Sequence, residues 1–519
     1  MRDQTDISPN NARLFKNTVL LYIRTIVVMF ITLYTSRIVL RELGVIDYGI
    51  YNVVAGFVSM FSFISGALSL AISRFITFEL GKGDEVAVQK VFSASLVVQL
   101  LLSLFVVLLG EVFGLWFLNE KMNIPENRIN AANWVYQLSL LAFCINLISV
   151  PYNALITAYE RMRAFAYISI LEASLKLAVC FILFISFIDK LLLYGLLLVL
   201  VSIIIRVIYG SYCHHMLPGS RFSFDVRKSD IISIGKFAGW TFFSNGAAVL
   251  NTQGINVLTN IFFNVGFNAA RGIATQAESA IKQFVSSFTT SINPQIIKHY
   301  AAGNQAELFI LICRGSKFSY FLFMLLALPL FFEADLVLKL WLINPPFKAA
   351  IFLKLAIACE LINILGSSGT TACHATGKMK LYVLSITSLS ILVFPLTYIA
   401  YSLGMDVEYS YYIFIAIYIL ILFVRLIIMK ELIGFPISLF IHDVLLKVLL
   451  CTLMAIFVPY SITQMMDESL FRFVLVFMLC FIFNSIIILF LGMNFRERSV
   501  IFNFVKSKFR GYFEKCCKI

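Results

Sequence analysis

Residues 471–493 read FRFVLVFMLCFIFNSIIILFLGM, twenty-three residues with a single charge at the second position. An α-helix needs about 20 apolar residues to cross a hydrocarbon core roughly 30 Å thick, so this stretch predicts a transmembrane helix. Similar runs recur along the whole chain of 519 residues, in which 60% of residues are hydrophobic, 13% are charged and the mean hydropathy is +0.91. Since soluble proteins carry about 25% charged residues, the sequence predicts an all-α integral membrane protein that crosses the bilayer many times.

Fourteen apolar segments are predicted to span the membrane. Two of them, 235–262 and 268–296, are rich in Asn, Gln, Ser, Thr and Gly and would score poorly on hydropathy alone. No stretch outside the segments is long enough to form a separate soluble domain. The predicted spans are 17–40, 48–72, 91–113, 132–156, 164–186, 190–210, 235–262, 268–296, 314–333, 350–374, 380–402, 408–429, 441–461 and 471–493.

The distribution of Lys and Arg predicts the side of the membrane on which each loop lies. With the N-terminus inside, 28 Lys and Arg residues fall in inner segments and eight in outer ones. Cytoplasmic loops carry an excess of Lys and Arg, so both termini are predicted to be cytoplasmic. The same rule accounts for the net charge of +13, which in a soluble protein could indicate a nucleic-acid partner; none is predicted here.

Two sequence matches at nearly the same offset predict an internal duplication. Residues 146–165 align without a gap on 363–382, and glycines between Gly44 and Gly81 align on glycines between Gly266 and Gly303. Chance similarity between apolar helices is the alternative. Both matches shift by six segments, which preserves orientation and predicts parallel repeats about an axis along the membrane normal. The predicted organisation is a cytoplasmic tail 1–16, a first six-helix bundle 17–210, a cytoplasmic linker 211–234, a second six-helix bundle 235–430, two additional transmembrane helices 431–493 and a basic cytoplasmic tail 494–519.

Charged residues inside the predicted spans are functional candidates, because a charge at the bilayer centre costs at least about 2.5–3.5 kcal/mol and is retained where it meets a wet cavity or a partner. The alternative for the Glu/Lys pairs at i,i+4 spacing is that each pair neutralises itself. The alternative for Arg37 and Lys354 is that their side chains extend to the membrane interface. The candidate substrate-binding cations are Arg24, Arg37, Lys176, Arg271, Lys282 and Lys354.

A set of uncharged polar residues lies on one predicted face of segment 235–262. Asn245, Thr252, Asn256 and Asn260 recur at helical spacing, and glycines in the same segment make bending easy. Asn245 and Asn256 are therefore further candidates for substrate binding, beside a water-filled cavity. The alternative is that these side chains hold helices together in lipid.

These features predict two helix bundles that face one another across a hydrated, cationic cleft and move by alternating access. A cationic cleft selects anions, and the planar fork of Arg suits phosphate because it can bind two oxygens at once. The ten cysteines contain no C-x-x-C spacing, so neither a zinc site nor a disulfide framework is predicted. No cofactor is predicted.

The sequence resembles the polysaccharide flippases of the multidrug/oligosaccharidyl-lipid/polysaccharide exporter superfamily, the group that includes O-antigen and capsule repeat-unit flippases. The resemblance covers essentially the whole chain. The motifs that carry it are short and mostly structural, so they indicate the family better than the substrate. They are Thr35-Ser36-Arg37, Leu43-Gly44, Asp47-Tyr48-Gly49-Ile50-Tyr51, Ser73-Arg74-Phe75, Gly81-Lys82-Gly83-Asp84 and Ala375-Thr376-Gly377-Lys378-Met379.

The resemblance implies transport of an undecaprenyl-pyrophosphate-linked oligosaccharide from the cytoplasmic to the periplasmic leaflet of a bacterial inner membrane, for lipopolysaccharide and other surface glycans. It implies that Arg24 lies in a central cavity. It also implies coupling to a proton or sodium gradient, for which Glu172, Glu278 and Glu360 are the candidates. The implied partners are the lipid-linked glycan, membrane lipids, and a glycan polymerase with other assembly proteins.

Two other functions compete with this interpretation. The alternative within the superfamily is an ion-coupled multidrug antiporter. Such proteins carry organic cations and would favour an anionic cavity, whereas these spans contain five basic residues besides Arg271, which lies toward the outer mouth. The other is a membrane-embedded glycan polymerase or ligase. Such enzymes use large periplasmic loops, and the longest predicted outer loop, 114–131, has only 18 residues. The sequence therefore predicts a transporter and not an enzyme.

Overall fold

The computed structural model describes residues 9–62, 84–159, 161–223, 246–342, 344–376, 379–495 and 497–499, together with a few positions between 68 and 80. These residues form helices and short connections, with no β-strand among them. The all-α prediction is therefore confirmed for this part of the chain. Asn245, the linker 224–234 and the tail from 500 onward lie outside the described residues.

Eighteen α-helices follow one another along the described ranges, and short π-helical turns interrupt several of them. The helices are α1 (Pro9–Ser59), α2 (Glu85–Leu109), α3 (Leu115–Glu120), α4 (Ile129–Ala158), α5 (Met162–Ile185), α6 (Lys190–Met216), α7 (Ile255–Phe262), α8 (Val265–Ala301), α9 (Gln305–Phe332), α10 (Ala334–Leu342), α11 (Ala349–Ile364), α12 (Ser367–Ala375), α13 (Met379–Ile391), α14 (Val393–Ser402), α15 (Tyr409–Ile433), α16 (Ile437–Phe440), α17 (Leu446–Met465) and α18 (Leu470–Ile487).

Side-chain caps fix several helix starts. Asp84 accepts a hydrogen bond from the backbone N–H of Ala87 at the start of α2, and Asn304 accepts one from Glu307 at the start of α9. Such caps satisfy backbone donors that have no partner inside the helix. Asp84 and Asn304 thus define where α2 and α9 begin.

Eleven helical stretches in the described ranges are long and apolar enough to cross a membrane. They agree with twelve of the predicted segments, because Ile23–Ser59 takes in the first and part of the second. Segment 268–296 is not among them, and segment 235–262 lies partly outside the described residues. The count of fourteen spans and the cytoplasmic placement of both termini therefore remain predictions.

Gly44 separates the first two predicted segments within α1. Its φ of 75° and ψ of 172° are non-helical and bend the chain inside an otherwise continuous helix. A positive φ is accessible to glycine at little cost because glycine has no Cβ. The Leu43-Gly44 motif is thus a bend between two spans.

The chain divides into two compact units. The first comprises residues 1–277, 341–352 and 387–417. Within it α4 packs along α6, and α1 packs against α4 and α5. Large side chains such as Phe92 and Tyr136 are fully buried there. Tyr136 donates a 2.8 Å hydrogen bond to the carbonyl of Gly110, where α2 passes into a π-helical turn.

The second unit comprises residues 278–340, 353–386 and 418–519. Helix α9 packs against α12, α17 and α18, and α17 and α18 form an antiparallel pair. Lys317 on α9 is only 1% exposed and pairs with Glu497 at 2.8 Å. This pair attaches the residues after α18 to α9. The predicted six-helix bundles and their boundaries remain a proposal about the repeat.

Candidate functional site

Arg24 lies half-buried on α1, in the first unit. Its Nη2 donates a 3.1 Å hydrogen bond to Ser169 Oγ on α5, and its guanidinium carbon lies 4.8 Å from the centre of the Phe165 ring. This distance is within range of a cation–π interaction. Nε of Arg24 is buried without a hydrogen-bond partner. No carboxylate of the described residues forms an ion pair with Arg24, so its charge is uncompensated there.

Glu172 and Lys176 form an ion pair on α5, one to two turns beyond Ser169. Their atoms Oε1 and Nζ are 2.6 Å apart, and both side chains are more than a third exposed. Glu172 and Arg24 both lie within electrostatic range of Tyr209 on α6. The structure therefore brings three of the predicted residues, Arg24, Glu172 and Lys176, to neighbouring parts of α1 and α5.

Arg206 on α6 is a further arginine inside a candidate span. Its guanidinium carbon lies 3.9 Å from the centre of the Tyr152 ring on α4. Arg206 falls inside the predicted span 190–210, but the sequence interpretation counted it with the Lys and Arg residues of the inner side. The signal that sequence reasoning missed was its position within an apolar run; the helix itself continues past the predicted end to Met216.

Arg37 lies farther along α1, away from Arg24. It lines a pocket of about 360 Å³ together with Arg41 and aromatic residues of α1 and α5. Among the described residues it has no hydrogen-bonded or ion-paired partner.

Asn256 and Asn260 lie within a buried cluster of asparagines in the first unit. The side-chain amide of Asn268 donates hydrogen bonds to two oxygens of Asn256: the backbone carbonyl oxygen at 2.7 Å and the side-chain Oδ1 at 2.8 Å. Asn256 donates to the carbonyl of Asn52, 3.2 Å, and Asn260 Oδ1 accepts from the backbone N–H of Asn123, 2.9 Å. These bonds hold α7 to α1, to α8 and to the connection before α4. Sequence reasoning missed Asn52, Asn123 and Asn268, since each lies on a different segment.

Arg271 on α8 is 8% exposed and lies against the start of α15. Its guanidinium carbon is 5.0 Å from the centre of the Tyr411 ring, and Nη1 is 3.4 Å from Ser410 Oγ. Both partners belong to the first unit. The structure does not bring Arg271 together with Arg24.

Lys282 and Glu360 form an ion pair in the second unit. Lys282 Nζ on α8 is 2.8 Å from Glu360 Oε1 on α11; the Lys282 side chain is 48% exposed and the Glu360 side chain 7% exposed. Glu360 Oε2 also accepts from Asn363, 3.0 Å. Glu278, one turn before Lys282, lies within electrostatic range of both. Two carboxylates therefore surround one ammonium group.

Lys354 on α11 pairs with Asp335 at 3.1 Å; the Lys354 side chain is 32% exposed and the Asp335 side chain 51% exposed. The structure thus distributes the predicted cations over several places. In the described part of the chain no group of His, Cys, Asp and Glu could hold a metal ion.

The family model described as polysaccharide biosynthesis protein matches residues 14–299, more than half of the chain. The chain belongs to this family. The match includes the Arg24 neighbourhood on α1 and α5, the asparagine cluster and Glu278 with Lys282. A search of curated proteins finds no match.

Solved structures of transporters share the fold. The chain is similar to the lipid II flippase MurJ in an inward closed conformation, with a TM-score of 0.65 and 14% identity over 91% of this chain and 98% of that one. It is similar to an inward-facing MATE family multidrug resistance transporter of the MOP superfamily, with a TM-score of 0.59 and 13% identity over 80% of this chain and 95% of that one. It is also similar to a MOP superfamily transporter from Pyrococcus furiosus that is described by the reverse polarity of its binding pocket. The TM-score is 0.56, with 13% identity over 81% of this chain and 96% of that one.

These findings confirm the resemblance to polysaccharide flippases within the exporter superfamily, and they confirm a polytopic all-α membrane fold. The structural neighbours are a flippase and multidrug or related transporters. The chain is therefore a multi-pass membrane protein of a polysaccharide biosynthesis family. Its substrate is a separate question, since likeness at this identity establishes the fold alone.

Proposed function

We propose that this protein is a flippase that moves undecaprenyl-pyrophosphate-linked oligosaccharide repeat units from the cytoplasmic to the periplasmic leaflet of a bacterial inner membrane by alternating access. The repeat units would serve O-antigen or a related surface polysaccharide, with a polymerase acting on them after transport. Membership of a polysaccharide biosynthesis family supports a lipid-linked glycan as cargo.

The observation that carries the proposal is the uncompensated charge of Arg24. Its guanidinium is half-buried between α1 and α5, with one hydrogen bond to Ser169 and a free Nε. Burying a charge without a partner is costly, so a cation kept in this state supports an anionic ligand. A guanidinium can bind two phosphate oxygens in parallel, which a pyrophosphate offers and a neutral sugar does not.

The carboxylates of the second unit support coupling to a cation gradient. Glu278 and Glu360 surround Lys282, so the three groups leave one negative charge when all are ionised. A proton or a sodium ion would neutralise that charge. Glu172 has a one-to-one partner in Lys176 and is the weaker candidate for coupling.

An ion-coupled multidrug antiporter is the second candidate, because the fold is shared with MATE family transporters. Such a protein would carry organic cations. Arg24 argues against that cargo, since an uncompensated guanidinium repels cations. Drug resistance on expression, without any effect on surface glycan, would favour this second candidate.

The function is tested by replacing Arg24 in a host that depends on this protein for surface glycan. Arg24→Ala is expected to abolish the glycan while the protein remains in the membrane at the normal level, because the phosphate contact is lost. Arg163→Ala is the matched control, since Arg163 is an exposed arginine at the start of α5. Normal glycan in the Arg24→Ala strain would contradict the proposal.

Leaflet transfer is measured directly in reconstituted vesicles that contain a defined lipid-linked disaccharide diphosphate. We expect transfer with the unaltered protein, a loss of at least tenfold with Arg24→Ala, and partial recovery with Arg24→Lys, because lysine keeps the charge without the bidentate fork. Equal transfer by all three proteins would exclude a role of Arg24 in cargo binding.

A further inference from the structure

A pocket of about 360 Å³ opens between α1 and α5 in the first unit. This volume lies within the range of small-ligand sites, roughly 300–1,000 Å³. Seven residues line it: Tyr34, Arg37, Ile38, Arg41, Cys180, Phe181 and Phe184. Two cations and three aromatic rings therefore share one small cavity.

The charges around this pocket do not balance. Glu42 is the carboxylate beside it; its Oε1 pairs with Arg41 at 2.9 Å and its Oε2 pairs with Lys190 at 2.8 Å. Arg37 has no ionic or hydrogen-bonded partner in the described ranges. Three cations thus face one carboxylate, which leaves a net positive charge for an anion to neutralise.

The walls of the pocket are those of a surface in contact with lipid. Tyr34, Phe181 and Phe184 are each more than half exposed, although α1 and α5 are among the candidate membrane spans. Arg41 stacks on Phe184 with its guanidinium carbon 5.6 Å from the ring centre. Apolar rings exposed within a span are solvated by acyl chains, while the arginines are placed to bind a polar group among them.

Arg37 and Arg41 lie one helical turn apart on α1, so they present two guanidinium groups on neighbouring parts of one helix. In the predicted topology this part of α1, at the end of the first predicted span and before the bend at Gly44, lies at the outer interface. Arginine binds phosphate oxygens in a bidentate manner. The pocket therefore combines phosphate-binding cations with a lipid-facing aromatic wall at the depth of the headgroups.

We propose that the Arg37–Arg41 pocket binds the phosphate of an anionic phospholipid from the outer leaflet, with phosphatidylglycerol as its simplest representative. The guanidinium groups bind the phosphate oxygens, and the rings of Phe181 and Phe184 lie along the start of an acyl chain. This site is distinct from Arg24 and does not require that the protein transport a glycan.

The test is native mass spectrometry of the full-length, delipidated protein in detergent, titrated with phosphatidylglycerol or with phosphatidylcholine of the same chain length. The unaltered protein is expected to retain one phosphatidylglycerol in preference to phosphatidylcholine. Arg37→Gln/Arg41→Gln is expected to bind phosphatidylglycerol at least about tenfold more weakly, because hydrogen bonds to charged groups are lost. The single variant Arg37→Gln breaks no described ion pair and carries the test if the double variant does not fold.

The matched control is Lys121→Gln/Lys339→Gln. It removes the same charge from two exposed residues at predicted outer ends, outside the pocket. Normal phosphatidylglycerol binding by this control supports the proposal. Equal retention of phosphatidylglycerol by the pocket variants, or equal retention of both phospholipids by the unaltered protein, would overturn it. Retention of an added isoprenoid diphosphate in place of phosphatidylglycerol would also overturn it and assign the pocket to the cargo.

Discussion

Gly49 on α1 allows a close approach of two backbones. A Cβ built at this residue would lie 2.0 Å from the carbonyl oxygen of Val265, at the start of α8. Both residues belong to the first unit, and backbone cannot be displaced as easily as a side chain. Gly49→Ala is therefore expected to lower the free energy of unfolding by about 1–3 kcal/mol, as overpacking does. The measurement is the unfolding temperature of the purified protein in detergent.

The control for Gly49→Ala is Gly210→Ala on α6. A Cβ there would meet only the flexible end of Arg206, 2.8 Å away. Alanine is favoured over glycine inside a helix by about 1 kcal/mol, so this variant is expected to be neutral or more stable. An unfolding temperature of Gly49→Ala at or above that of Gly210→Ala would show that the two backbones do not approach this closely.

At the scale of residues the sequence predicted which side chains are unusual, but not their partners. The i,i+4 spacing favoured a pair between Glu278 and Lys282, whereas the ammonium of Lys282 lies 2.8 Å from Glu360 on another helix. Spacing identifies neighbours on one helix, and contacts between helices depend on packing that no spacing encodes. The partnership of Asn256 with Asn268 was missed for the same physical reason.

At the scale of elements, Asp189 fixes the start of α6. Its Oδ1 accepts hydrogen bonds from the backbone N–H groups of Leu191 and Leu192, and Arg128 donates to both carboxylate oxygens. The hydrogen bonds from Arg128 lower the pKa of Asp189 below its usual value, against the opposing effect of burial. Since the native pKa is the lower one, the ionised carboxylate stabilises the fold above the unfolded pKa, and this stabilisation is lost as the pH falls through the native pKa.

This contribution predicts a pH dependence that can be measured from the unfolding temperature between about pH 7 and pH 3. Asp189→Asn keeps an oxygen for the helix cap and removes the charge, so its curve is expected to be flatter on the acid side. Asp189→Ala also loses the cap, which costs about 1 kcal/mol. The control is Asp406→Asn in the exposed turn before α15. Parallel acid limbs for Asp189→Asn and the unaltered protein would exclude this role.

The sequence predicted most helices well, because a run of apolar residues determines a span on its own. The predicted helix ends were less accurate: α6 continues to Met216, and only the bend at Gly44 separates the first two predicted segments within α1. Segment 268–296 was predicted as a span although its hydropathy is low, and the structure has one helix there, α8, which starts at Val265. Its buried Asn268 contributes to the low hydropathy; that side chain is bonded to another asparagine and is not exposed to lipid.

At the scale of the whole molecule, the fold class and the family followed from composition and a few short motifs. Composition is sufficient for this purpose because a lipid environment admits few structures besides helices. The candidate site was less predictable. Arg24 was identified by the cost of its charge alone, whereas Arg206 was counted with the inner side although it lies within a predicted span. The triad of Glu278, Lys282 and Glu360 joins residues more than eighty positions apart in the chain.

That triad leads to a prediction about energy coupling, which rests on the proposed transport. Glu360 is almost fully buried beside Lys282, with Glu278 nearby, so a coupling cation would neutralise the remaining negative charge. Glu360→Gln removes that charge. In vesicles with an imposed proton or sodium gradient, the increase in transfer rate caused by the gradient is expected to be at least about tenfold smaller for this variant. Transfer without a gradient is expected to continue. Glu172→Gln is the matched control, because Glu172 is exposed and already balanced by Lys176. If both variants lose stimulation to the same extent, the excess charge of the triad is not what couples the gradient to transport.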